Sequence, residues 1–149
     1  MSQMVFTYRI SINAKPEDVY AYVADLTKHG EWSENVKVEA VSDGPIGVDS
    51  TYRSTGRMMR KEFKNDIRVT EYEPSTRLSF IANDGKNEFL QEFTFSSSDA
   101  GTLLERKVSF EMNPLMGLLF KVMIGPLVSN PSMKKSLNNL KANMERAAP

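Results

Sequence analysis

The chain of 149 residues has no cysteine, one histidine and one tryptophan. Without cysteine there is no disulfide framework, no thiolate metal site and no thiol nucleophile. One histidine, His29, excludes a His-pair metal site and a two-histidine relay. A charge excess of either sign is also missing: 19 Lys and Arg offset 19 Asp and Glu. Nucleic acid needs a basic face, so no nucleic-acid partner is expected. The longest apolar stretch, Leu115 to Val128, is broken by Lys121, Gly125 and Pro126. It falls short of the roughly 20 residues of a spanning helix, so no stable membrane insertion is expected. Met1 to Thr7 lack a basic segment leading into an apolar run, which points to a cytoplasmic protein. Gly44, Gly47 and Gly56 fit turns and sheet bends rather than a phosphate-binding loop. Neither a metal nor a cofactor is expected, and little room is left for cofactor-free hydrolase chemistry.

What remains is a pattern of strands. The length suits a single domain, 1–149, that buries roughly 70% of its unfolded surface. Met4, Phe6, Tyr8, Ile10 and Ile12 alternate with their neighbours, the period of a strand with one buried face. Pro16 at a first helical position and Glu17 and Asp18 in the first turn open a short helix. Val19, Tyr22, Val23 and Leu26 form its expected buried face, and a polar stretch from Thr27 to Asn35 follows. From Val36 to Met112 the chain reads almost entirely as strands joined by short turns, so neighbours should be antiparallel. At the end, Met133, Leu137, Leu140 and Met144 recur at helical spacing. Asn130-Pro131 reads as an N-cap followed by an N1 proline, and Pro126 and Pro131 should kink or break the segment. A one-faced antiparallel sheet must be covered, and the terminal helix is the element large enough to do it. The expected product is an α+β domain with a cavity between sheet and helix.

Several stretches carry a family resemblance. Ile10-Ser-Ile-Asn-Ala-Lys-Pro-Glu-Asp-Val-Tyr20, followed by Val23-Ala-Asp-Leu26, resembles the opening of the START-related SRPBCC superfamily, which contains polyketide cyclase/dehydrase-like proteins. Trp32 sits where that family often has an aromatic after its two short helices. Val69-Thr-Glu-Tyr-Glu-Pro74 with Arg77-Leu78, Gly101-Thr102 and the ending Leu137 to Glu145 are similar to its mid-sheet and terminal-helix patterns. The resemblance implies a helix-grip fold: a curved antiparallel sheet of about six or seven strands gripping a long, kinked C-terminal helix, with two short helices after the first strand. It also implies a hydrophobic cavity, and little about chemistry, because the matching residues are mostly packing and turn residues.

Polar residues in the buried phase of strands are the most informative functional signal. Asn65 lies between Phe63 and Ile67, Gln91 between Phe89 and Phe93, and Arg106 between Leu104 and Val108. A buried amide or guanidinium costs several kcal/mol unless something satisfies it, so three on one face point to a lined cavity. The alternatives are a position near a strand end or a bulge that flips the phase. Arg106 could anchor a ligand carboxylate or enolate, or pair with Glu71 or Glu92. Phe80, Phe89 and Phe93 join the cavity candidates, with Tyr22, Tyr52 and Trp32. Met116, Phe120 and Met123 supply adaptable apolar surface on the segment 115–128, which would serve as a lid, as core or as a homodimer contact. His29 reads as a solvated loop residue, and Trp32 as a plug at one end of the core.

Three functions compete. The leading one is binding of a small hydrophobic molecule, lipid-, steroid- or polyketide-like, as carrier or sensor. The second is a cyclase/dehydrase-type enzyme, in which Arg106 steadies an enolate and Tyr52 or Tyr22 moves protons. The third is a protein-interaction module resembling co-chaperones, with 115–128 as the contact.

Overall fold

The computed structural model describes residues 2–33, 36–58, 61–85, 87–112, 115 and 125–147. Strand β1 (Ser2–Ile12) leads into helix α1 (Pro16–Ala24) and a 3-10 helix (Leu26–Glu31). Six strands follow: β2 (Val36–Ala40), β3 (Thr51–Met58), β4 (Lys61–Glu73), β5 (Arg77–Asn83), β6 (Glu88–Ser98) and β7 (Gly101–Met112). Helix α2 (Gly125–Ala147) ends the described chain. The strands form one antiparallel sheet in the order β1-β7-β6-β5-β4-β3-β2, so the first strand lies beside the last. Seven strands and one long terminal helix are the expected architecture.

The two-residue period of each strand fixes which side chains share the concave face. One row across the sheet reads Phe6, Val108, Gln91, Phe80 and Val69. The next reads Tyr8, Arg106, Phe93, Leu78 and Tyr72. The switch from Val69 to Tyr72 on β4 marks an irregularity between Val69 and Glu71, where one extra residue reverses the phase. Tyr72 therefore continues the concave face, and Glu71 turns to the outside, 3.2 Å from Arg77.

Packing is complete at one end of this face. Ile12, Val19, Val23, Leu78, Phe93, Phe95 and Leu104 are enclosed there with Leu137 and Leu140 of α2. Helix α1 starts at Pro16 as expected, but it buries Val19, Tyr20, Val23 and Ala24. Tyr20, not Tyr22, faces the core: its hydroxyl donates to the Arg77 carbonyl at 3.0 Å and its ring meets Phe95 edge-on. Gly101 makes the β6–β7 turn possible, since its φ of 132° is foreign to other residues and a Cβ there would lie 2.7 Å from the Ala14 carbonyl oxygen.

One sequence expectation for the terminal helix needs correction. Asn130 does not cap it: the helix begins at Gly125 and passes through Pro131. Pro126 falls in the first turn, where no backbone donor is required, and Pro131 lies inside the helix, where it removes a hydrogen bond and favours a kink rather than a break. The C-terminal half is anchored at two places, the end of the 3-10 helix and the end of β1. Asn139 Nδ2 donates to the Trp32 carbonyl at 3.3 Å and Asn143 Nδ2 to the Glu31 carbonyl at 3.1 Å. Lys141 Nζ donates to the Ser11 carbonyl at 2.7 Å, and the Asn13 amide donates to Glu145 at 3.0 Å.

Candidate functional site

The site is assembled from the middle of the concave face and the 3-10 helix above it. That short helix places Leu26, His29 and Trp32 three residues apart, which stacks them on one side. All three are buried, His29 at 8% and Trp32 at 1% exposure. His29 is thus not the solvated loop residue that its polar neighbours indicated. Its Nε2 lies 2.8 Å from the Val23 carbonyl and must carry the proton, because a carbonyl only accepts. Burial, reinforced by the nearby Arg106 charge, drives its pKa down to about 4 against the pull of that hydrogen bond. The ring is neutral at physiological pH.

Trp32 packs beneath it, ring centroids 4.7 Å apart, and meets Phe93 edge-on at 6.5 Å. Phe80 stacks on Phe93 at 6.1 Å. Into this aromatic frame β7 projects Arg106. Its Cζ lies 5.4 Å from the Phe93 ring centre and 5.8 Å from that of Trp32. Its Nη2 donates to Gln91 Oε1 at 2.8 Å. Desolvation lowers the guanidinium pKa to about 10, which leaves it charged at neutral pH. The carboxylates considered as partners from sequence are engaged elsewhere: Glu71 and Glu92 lie 3.2 and 3.6 Å from Arg77. Among the described residues no carboxylate forms an ion pair with Arg106.

The structure therefore gathers Trp32, Phe80, Gln91, Phe93 and Arg106, and sequence reasoning missed His29. Its threefold spacing with Leu26 and Trp32 was the available signal. Phe89 lies one row further along, beside Phe110 at 5.2 Å. Asn65 is on the same face but four residues along β4 from Val69, roughly 13 Å by strand geometry. Its Oδ1 is buried without a hydrogen-bond partner. Tyr52 is buried in the row of Ile67 and Ala82, with its phenol pKa raised chiefly by desolvation. Tyr22 is displaced from the site altogether. Its hydroxyl donates to Glu31 at 2.9 Å and accepts from Asn143 at 3.2 Å, in a polar notch of about 700 Å³ between α1, the 3-10 helix and α2. Met116, Phe120 and Met123 lie outside the described residues.

Beyond Arg106 the covering of the concave face is uneven: Met4, Phe80, Ala82 and Ile67 are buried, whereas others are not. Phe6, Tyr8, Phe89, Gln91, Val108 and Phe110 are only partly buried, although each points to the same side as the enclosed Phe93 and Leu104. Among the described residues no group of three or more His, Asp or Glu side chains could hold a metal ion, and no helix is long and apolar enough to cross a membrane.

Comparison with known proteins agrees with this fold. No curated protein matches the chain. Solved structures do. An aromatase/cyclase named Zhui from a Streptomyces species aligns with a TM-score of 0.78 at 15% identity, over 97% of this chain and 95% of that one. A Thermus thermophilus protein aligns with a TM-score of 0.76 at 20% identity, over 99% of this chain and 100% of that one. A Rhodobacter sphaeroides protein aligns with a TM-score of 0.74 at 17% identity, over 97% and 95%. At such identities the likeness is one of fold. The family model described as polyketide cyclase / dehydrase and lipid transport matches residues 3–145, and the chain belongs to that family.

Proposed function

We propose that the protein binds a small hydrophobic molecule, lipid-, steroid- or polyketide-like, between the concave sheet face and the C-terminal helix, as a carrier or sensor. The observation that carries this reading is the unequal covering of one continuous face. Phe93, Phe95 and Leu104 are enclosed, whereas Phe6, Phe89, Val108 and Phe110 on the same side are left partly uncovered. Aromatic side chains bury large areas, and leaving several partly exposed on an inner wall forfeits stabilisation of up to about 1 kcal/mol each. A ligand of matching apolarity recovers it.

Cyclase-type chemistry is the second reading, favoured by Arg106, whose charge would steady an enolate. It needs a proton carrier at the same place. Tyr22 lies in the outer notch, and the His29 ring is neutral with its pKa about 4. Arg106, at about 10, holds its proton. Groups poised near neutrality are what acid–base catalysis requires, so binding is the better supported function.

Native mass spectrometry of the protein purified from its source, joined to thermal shifts over a lipid and polyketide panel, tests it. A retained small molecule and a melting temperature that climbs with ligand concentration are expected. A clean apo mass with no shift across the panel contradicts binding.

A further inference from the structure

The polar lining beside the partly covered wall contains two unused donors. Arg106 Nε and Trp32 Nε1 are both buried without a hydrogen-bond partner. They belong to neighbouring groups, since the guanidinium carbon lies 5.8 Å from the centre of the indole. Gln91 adds to the same bias. A guanidinium cannot accept, so the Gln91 oxygen must face Arg106 Nη2 and its NH₂ end is directed away. His29 brings no negative charge, being neutral with its Nε2 proton given to Val23. The unpartnered acceptor on this face, Asn65 Oδ1, is roughly 13 Å along β4 from the Gln91 row. The described interior thus holds one positive charge, unused N–H groups beside it and no carboxylate paired with it.

An orphaned buried donor is costly, and an unneutralised buried cation more so. Such a cost persists where the missing partner arrives with a ligand. We propose that the molecule bound on this face is a hydrophobic carboxylic acid, its ionised carboxylate held by Arg106 Nε and Trp32 Nε1 and its apolar body lying along Phe6, Phe89, Val108 and Phe110. The carboxylate is planar with two acceptor oxygens and no donor, which matches a cation and two unpartnered N–H groups. Neutral lipids and sterols present a hydroxyl or ester and leave the charge unmatched. This inference rests on the ligand-binding reading above and narrows it to one charge class.

Isothermal titration with matched pairs tests it: dodecanoic acid against methyl dodecanoate, and 2-naphthoic acid against methyl 2-naphthoate, at pH 7.5. At least one acid should bind about 10-fold or more tightly than its ester, the discrimination expected of a charge-assisted hydrogen-bonded pair. Arg106→Met should abolish that preference, read as the acid-to-ester affinity ratio falling to about 1. Trp32→Phe, which keeps an aromatic ring and removes the N–H, should lower the acid-to-ester affinity ratio several-fold. The wild-type comparison stands even if a variant fails to fold. If acid and ester bind alike, or the acid preference survives in Arg106→Met, the carboxylate assignment is overturned and hydrophobic binding stands. If neither member of either pair binds, the ligand-binding reading is contradicted and this inference falls with it.

Discussion

His29 and Arg106 are ionisable side chains in an aromatic interior, and their protonation has consequences for stability. The folded-state pKa of His29, about 4, lies below the ordinary value of 6.5, so between those limits the unfolded chain binds a proton that the native one refuses. Stability therefore falls as pH drops from about 6.5 to 4, by about 3 kcal/mol for this residue, and the loss saturates below that window. Urea midpoints at pH 7 and pH 4.5 should differ more for the wild type than for His29→Gln, since other titrating groups are common to both. Equal differences would mean that the ring is not held neutral.

Arg106 makes the opposite test. Partial burial of this cation, with Nε enclosed and no ion-paired carboxylate among the described residues, should be destabilising in the ligand-free protein. The double replacement Arg106→Met with Gln91→Leu removes both the charge and the acceptor that it satisfies, and should raise apo stability by about 1–2 kcal/mol. A rise in chemical-denaturation midpoint accompanied by lost acid binding is the expected signature of a residue retained for function. A fall in stability would indicate that the guanidinium is structurally needed.

At the scale of elements, α2 is held by its C-terminal half. Asn143 joins it to Tyr22 and to the Glu31 carbonyl, while Asn139 reaches the Trp32 carbonyl. Replacing Asn139 and Asn143 together by alanine should cost about 1–2 kcal/mol in total. It should also speed amide exchange over 137–147 more than in β5 and β6. Exchange accelerated uniformly across the sheet would show that the helix end is not a separately anchored unit. Gly30 is a second element-level constraint, because a Cβ there would approach the Val36 carbonyl oxygen to 2.5 Å. Gly30→Ala should destabilise by about 1–3 kcal/mol, measured by thermal unfolding, through displacement of the 3-10 helix from the start of β2.

Much of this element structure was legible in the sequence, because alternation is a direct imprint of a one-faced sheet. Phe6, Tyr8, Gln91 and Arg106 could be assigned to a common face from period two alone, and the register confirms it. The polar stretch after α1 was harder. Thr27 to Asn35 carries no apolar periodicity of α-helical type, and a 3-10 helix of six residues leaves only a threefold trace in Leu26, His29 and Trp32. Tyr22 misled for a related reason: it flanks Val23 on a short helix, where a rotation of one position exchanges Tyr20 for Tyr22 in the core. Asn130-Pro131 carried a convincing local start signal, yet the helix begins earlier, at Gly125, and continues through it.

For the whole molecule, the central claim is that a ligand lies on the concave face beside Trp32. An alternative apolar surface exists on the outside of the sheet, where Ile81 and Leu90 line a groove of about 380 Å³ and Val5 stands 44% exposed. The most direct discriminator is an isotope-filtered NOE spectrum of the complex with the tightest-binding acid. Contacts from ligand protons to Phe6, Trp32, Phe93 and Val108 are predicted. Contacts confined to Val5, Ile81 and Leu90 would contradict the account.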